Sequence, residues 1–150
     1  MTTGVQVMRV PGSYDESRDP GERDPKERKE ERGMIVLTAA MPKCDGRRPK
    51  GGWLSPHSEW ARDVRRRVQT ILAAAASTGR ENIVLGAWGC GAFGNDPIAV
   101  ATVFREELGS ARYCGLFRCV VFAIIDPVGT GNLRPFQKVL CTCNGKLIKK

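Results

Sequence analysis

Apolar positions along the chain fall into two kinds of pattern: short unbroken runs, and longer stretches where they recur every three or four residues. "MIVLTAA" (Met34 to Ala40), "NIVLGA" (Asn82 to Ala87) and "FRCVVFAII" (Phe117 to Ile125) are unbroken runs rich in β-branched residues, and each reads as a buried strand. Met41-Pro42 ends the first and Asp126-Pro127 the third. Between the first two lies "SPHSEWARDVRRRVQTILAAAASTG", where Ala61, Val64, Val68, Ile71, Leu72 and Ala75 share one face at helical spacing. Arg62, Arg65 and Arg66 fall largely on the opposite face. Ser55 suits its N-cap, Pro56 its first turn and Gly79 its end. A second helix starts at an Asn95 or Asp96 cap with Pro97 in first position and runs to about Leu108. "NLRPFQKVL" reads as a last helix, with Pro135 limiting how early it begins.

The order is strand, helix, strand, helix, strand, helix. Unbroken apolar strands separated by helices imply an α/β fold with a mostly parallel sheet, covered on both faces and joined by right-handed crossovers. Ligands in such sheets sit beyond the carboxyl ends of the strands.

Charge changes the picture at the N-terminus. Residues 12–33, "GSYDESRDPGERDPKERKEERG", alternate charges and hold no aliphatic residue larger than proline. Such a segment buries too little surface to offset its ordering, so residues 1–33 are expected to be largely disordered and 34–150 to form the domain. The net charge is +8. Seven Lys/Arg and eight Asp/Glu before residue 34 sum to −1, which leaves +9 on the remainder. A basic excess favours polyanions without choosing among them, and the Arg62, Arg65 and Arg66 face is the densest candidate surface for nucleic acid. No run approaches the ~18 apolar residues of a membrane span, and no secretory signal pattern is present. Six cysteines without an export signal point to reduced thiols in the cytoplasm, or in the nucleus. Cys114, Cys119, Cys141 and Cys143 are spaced irregularly for structural zinc, so no metal site and no cofactor is expected.

Candidate chemistry concentrates in "GAWGCGAFGNDP" (Gly86 to Pro97), which follows the second strand directly. Gly89, Gly91 and Gly94 satisfy G-x-G-x-x-G, yet the helix begins after the last glycine, and no acidic residue ends a strand about 20 positions on. The lysine of a phosphate-binding P-loop is missing too. What remains is a strand, a flexible loop and a helix N-terminus, which together aim main-chain N–H groups at one point. The alternative is a tight connection whose glycines serve packing alone. Cys90, near a helix start, is a nucleophile candidate against the plainer role of a small loop-filling residue. His57, the one histidine, reads as an exposed first-turn residue.

The particular residues are more telling than their spacing. "IVLGAWGCGAFGNDPIAVATVF", followed by "LFRCVVFAIID", closely resembles the C-terminal half of the microbial-type poly(ADP-ribose) glycohydrolase catalytic domain, a macrodomain-like family. "MIVLTAAMPKC" resembles the strand and loop that precede it there, and "GVQVMRV" matches an upstream segment weakly. The resemblance spans most of residues 34–138 and is most specific from Leu85 to Pro97. It implies a three-layer α/β/α macrodomain-like fold that binds ADP-ribose, or an ADP-ribosylated protein, at the strand ends. Position by position, it assigns Gly89, Cys90, Gly91, Ala92, Gly94 and Asn95 to the diphosphate. Phe93 falls where the family packs an aromatic ring on the distal ribose.

That family's catalytic acid lies in a second glycine-rich loop that continues into Gln-Glu-Glu, N-terminal to everything matched here. No Gln-Glu-Glu occurs in this sequence. Glu30-Glu31 sits in the charged segment, and Glu106-Glu107 lies about three turns into a helix that starts at the binding edge. The expectation is an incomplete glycohydrolase-like domain that retains ligand-binding residues, assigns no catalytic residue and leaves its own enzymatic activity open. The other readings are a non-catalytic ADP-ribose reader and a basic nucleic-acid-binding protein. A partial sheet leaves an exposed edge, so association with itself or with a partner chain that completes the sheet is expected as well.

Overall fold

The computed structural model describes residues 6–10, 34–44, 49–50, 52–55, 57–126 and 131–140, with side chains from Met34 onward. In chain order its elements are β1 (Gln6–Val10), β2 (Met34–Thr38), α1 (Glu59–Ser77), β3 (Asn82–Leu85), α2 (Pro97–Leu108), β4 (Cys119–Phe122) and α3 (Leu133–Leu140). This is the expected α/β class, with β3 and β4 running parallel from Asn82 opposite Cys119 to Leu85 opposite Phe122.

Two boundaries differ from the sequence reading. Ser58 caps α1 instead of Ser55, its hydroxyl accepting from the Ala61 N–H at 3.3 Å. Ser55 is spent on the preceding turn: its carbonyl accepts from Ser58 N–H and its hydroxyl from His57 N–H. A serine side chain that closes a local turn competes with its own capping role. Pro56 lies outside the described residues. At the N-terminus, Gln6–Val10, which composition places with the largely disordered segment 1–33, forms β1, paired antiparallel to β2 from Gln6–Thr38 to Val10–Met34. The folded unit therefore takes in residues ahead of Met34. Residues 11–33 lie outside the described residues.

Other signals meet their structures directly. Asp96, one of the two candidate caps, accepts from Ala99 N–H at 2.7 Å, and Pro97 opens α2. Gly79 ends α1 with φ +69°, a left-handed turn that a side chain would strain.

Burial along the strands alternates. Ile83, Leu85, Phe122 and Ile124 pack on the core, while Val84, Val121 and Ile125 are exposed. The core joins Val64, Val68 and Leu72 of α1 with Val100, Val103 and Phe104 of α2 and Phe136 of α3, all at 1 % exposure or less. Phe122 links two helices through edge-on and tilted ring contacts, 5.4 Å from Phe104 and 5.6 Å from Phe136. The three helices thus lie against the same face of β3 and β4, and among the described residues no layer covers the other. Among the described residues β3–α2–β4 is the one crossover within a single sheet, and one crossover puts its helix on one face only. Unbroken apolar runs predicted cover on both faces, and the described residues supply one.

A polar clamp closes the helical layer. Glu107, 5 % exposed, accepts from Arg65 Nη1 at 2.7 Å and from Gln69 Nε2 at 3.0 Å, so α1 and α2 share both its oxygens. Glu106 beside it meets Arg65 at the surface. Removing the buried carboxylate leaves the Gln69 amide and one Arg65 nitrogen without their partner at the helix interface, whereas the exposed pair is screened by solvent. Glu107→Ala is expected to lower stability by about 2 kcal/mol and Glu106→Ala by less than about 1 kcal/mol. Urea unfolding of the two variants checks this, and equal losses would refute the clamp.

Candidate functional site

The loop between β3 and α2 is held from beneath. Asn95 is 2 % exposed and uses its whole carboxamide: Oδ1 accepts from Trp60 Nε1 at 2.6 Å and from the Cys44 thiol at 3.3 Å. Its Nδ2 donates to Pro42 O at 2.8 Å and to Gly89 O at 2.9 Å. One side chain thereby joins the exit of β2, the start of α1 and the glycine loop. Cys44 N–H donates to Phe93 O at 2.8 Å, tying the two loops together a second time.

Gly89 is shaped by this support. Its φ is +74°, and a Cβ there would run into Met41 and lie 2.8 Å from Asn95 Nδ2. Gly91 is the opposite case, since a Cβ there meets nothing within 4 Å. The first glycine serves conformation and close approach; the second keeps a surface open.

The main-chain donors divide along the same line. Trp88 N–H donates to Gly86 O, Cys90 N–H to Ala87 O, Gly94 N–H to Gly91 O and Asn95 N–H to Gly89 O. The N–H groups of Gly89, Gly91, Ala92 and Phe93 donate to no acceptor among the described residues. Of the positions expected to face a diphosphate, then, Gly89, Gly91 and Ala92 keep an uncommitted amide, and Phe93 adds another. Cys90, Gly94 and Asn95 spend theirs on the loop itself. Phe93 stands out from the surface at 39 % exposure, and α2 begins right behind it, its dipole's positive end toward the loop.

The candidate nucleophile is not poised for that role. Burial, helped by the negative charge of Asp96, pushes the Cys90 thiol up to about 12, so it stays protonated near neutral pH. His57 is exposed, ahead of the α1 cap. The arginine face is largely committed: Arg65 pairs with Glu106 and Glu107, Arg66 and Arg67 with Asp63, and Arg67 Nη1 also reaches Ala40 O at 2.8 Å. Cys114 and Cys119 are exposed; Cys141 and Cys143 lie outside the described residues. The residues that sequence reasoning missed are the supports: Met41, Pro42, Trp60 and the side chain of Asn95. Their partners lie 6 to 53 positions apart, beyond the reach of any local motif.

This geometry has counterparts among solved proteins. The chain superposes on poly(ADP-ribose) glycohydrolase from Thermomonospora curvata, bound to the inhibitor ADP-HPD, with a TM-score of 0.62 and 34% identity over 88% of this chain. The resemblance is to part of the poly(ADP-ribose) glycohydrolase domain. This chain spans 48% of that structure, so it matches about half the length of its solved relatives. The Deinococcus radiodurans poly(ADP-ribose) glycohydrolase in complex with ADP-ribose matches with a TM-score of 0.56 at 26% identity, over 91% of this chain and 52% of that one. No protein-family model matches the chain, and no curated protein sequence does.

Two measurements test this reading of the loop. Asn95→Ala orphans the Trp60 indole and the Pro42 carbonyl, and is expected to cost about 2–3 kcal/mol in denaturant unfolding; a loss under about 0.5 kcal/mol would show that the side chain is dispensable. Cys90's raised value leaves it a far smaller thiolate fraction at pH 8 than an ordinary exposed thiol, so iodoacetamide should label it at least about tenfold more slowly than Cys114 and Cys119. Peptide mass mapping reads the three rates, and equal labelling contradicts the buried thiol.

Proposed function

We propose that this chain binds the ADP-ribose unit of a modified protein or of poly(ADP-ribose), and that it is the ligand-binding part of a glycohydrolase-like site. In this reading the diphosphate sits on the N–H groups of Gly89, Gly91, Ala92 and Phe93, with the positive end of the α2 dipole behind them. Phosphate oxygens accept several hydrogen bonds at once, which suits donors that the protein leaves unused. The Phe93 ring packs against the ribose whose glycosidic bond is to be cut, shielding that sugar from water.

The observation that carries the reading is the set of uncommitted amides on Gly89, Gly91, Ala92 and Phe93, in a loop whose Trp88, Cys90, Gly94 and Asn95 amides are spent on its own carbonyls. It is supported by the likeness to a glycohydrolase bound to ADP-HPD and to one in complex with ADP-ribose. The arginine face supports nucleic acid less well, because Arg65, Arg66 and Arg67 already meet carboxylates.

Hydrolysis of an O-glycosidic bond needs a carboxyl acid at the leaving ribose oxygen and stabilisation of cationic character at the sugar carbon. The 150 residues contain no Gln-Glu-Glu, and Glu106 and Glu107 sit toward the far end of α2, held by Arg65. In the proposed scheme the acid therefore comes from residues outside this sequence, and these residues bind and orient.

Calorimetry with ADP-ribose tests the assignment. Gly91→Glu is expected to abolish binding while leaving the unfolding midpoint in place, since the new side chain enters open space and sets a negative charge on the phosphate seat. Phe93→Ala should weaken binding by about tenfold, the worth of roughly 1.4 kcal/mol of sugar packing, and Cys90→Ala by less. Unchanged affinity in Gly91→Glu would remove the loop from the site.

A further inference from the structure

The Cys90 side chain has no part in the binding scheme above, yet its thiol is engaged. It donates to Trp88 O at 3.7 Å, within the longer reach of a sulfur donor. Burial, with the negative charge of Asp96, pushes the thiol up to about 12, so the S–H donor is present throughout the neutral range.

The carbonyl it meets belongs to the same peptide unit as the Gly89 N–H. A peptide unit is planar and none of the described ones is cis, so its N–H and C=O point in opposite directions. Trp88 O drawn toward the thiol therefore turns the Gly89 N–H away from it. Cys90 packs against the core, which makes that direction outward. The following peptide is fixed as well: Gly89 O accepts from Asn95 N–H at 3.1 Å and from Asn95 Nδ2 at 2.9 Å. Gly89 thus sits between two held peptides, at φ +74° and in a space closed by Met41.

The other uncommitted donors divide by the same test. Ala92 is held, since the carbonyl of its peptide unit, Gly91 O, accepts from Gly94 N–H at 2.9 Å. Gly91 and Phe93 are not: the carbonyls of their units, Cys90 O and Ala92 O, accept from no donor among the described residues. Two of the four N–H groups are preset, one by a main-chain bond and the other by a thiol.

We propose that Cys90 is a positioning residue of the phosphate seat: by donating to Trp88 O it holds the Trp88–Gly89 peptide so that the Gly89 N–H stays turned outward for a phosphate oxygen. A cysteine suits the place on two counts. It packs as a small apolar residue, and it offers a donor that alanine lacks. A phosphate on Gly89 N–H and a thiol on Trp88 O act on one peptide, and each polarises it in the sense that strengthens the other bond. The ligand comes from the ADP-ribose reading, on which this role rests; the thiol–carbonyl bond exists without it.

Two sets of measurements separate the bond from the ligand. In the free full chain, NMR relaxation dispersion at the Gly89 amide should be flat in wild type and appear in Cys90→Ala, where the peptide begins to rotate, while Ala92 stays flat in both. A flat Gly89 in the variant, or equal dispersion at Ala92, overturns the proposal whatever the chain binds. With ligand, the infrared S–H stretching band that Cys90→Ala removes should move to lower frequency as wild type is saturated with ADP-ribose. It should stay in place with adenosine, which carries no diphosphate. A band that ignores bound ADP-ribose, or answers both ligands alike, overturns the proposal. Calorimetry should find ADP-ribose bound about threefold more weakly by Cys90→Ala, the worth of one weak hydrogen bond, and equal affinities would refute the role. Wild type that binds no ADP-ribose, with Gly89 still loosened in the variant, would end the binding reading and the phosphate role together and leave the held peptide standing.

Discussion

The rim of this molecule depends on one buried carboxamide. The loop from Gly86 to Asn95 has no regular structure to hold it, and its neighbours, the exit of β2 and the start of α1, are equally irregular. Asn95 satisfies all three at once because an amide side chain carries donor and acceptor on a short, stiff stem. An aspartate would keep the bonds from Trp60 and Cys44 but lose both donors to carbonyls. A leucine would lose everything. In a low-dielectric setting such a fully satisfied network fixes a single geometry, since any alternative leaves a polar group unpaired. The openness of Gly91 and the exposure of Phe93 are consequences: the loop can present its outer residues because its inner ones are pinned.

Much of the scaffold was legible from the sequence. The apolar runs at Met34, Asn82 and Phe117 all contain strands, and Asp96-Pro97 and Gly79 begin and end helices where their chemistry says they should. Local rules failed where two of them competed for the same residue, as at Ser55, whose turn left the cap to Ser58. They failed again where the answer is topological. An unbroken apolar run cannot reveal whether both faces of a strand find cover, because that depends on which distant elements pack on each face. β1 was masked by its surroundings, five strand residues ahead of a long charged run.

At the site the glycine pattern marked the right loop but not the division of labour inside it. Gly89, Gly91 and Gly94 look alike in a motif, yet the first serves close approach to Met41, the last a left-handed turn and the middle one an open surface. Which amides remain uncommitted is decided by carbonyls of the same loop, a property of its fold that spacing does not encode. Cys90 illustrates the same limit. Proximity to a helix start suggests an activated thiol, but burial raises its pKa and the negative charge of the capping Asp96 raises it further.

The bare outer face of β3 and β4 has a consequence for how the molecule behaves in bulk. Val84, Val121 and Ile125 present an apolar patch on a sheet with open edges, the kind of surface through which copies stack. The chain's net charge of +8 opposes such stacking by mutual repulsion. That repulsion acts over a screening length of about 10 Å at 0.1 M salt and about 3 Å at 1 M. Colloidal stability of the isolated chain is therefore a balance between a fixed apolar area and a salt-tunable charge, and raising ionic strength drives it toward precipitation.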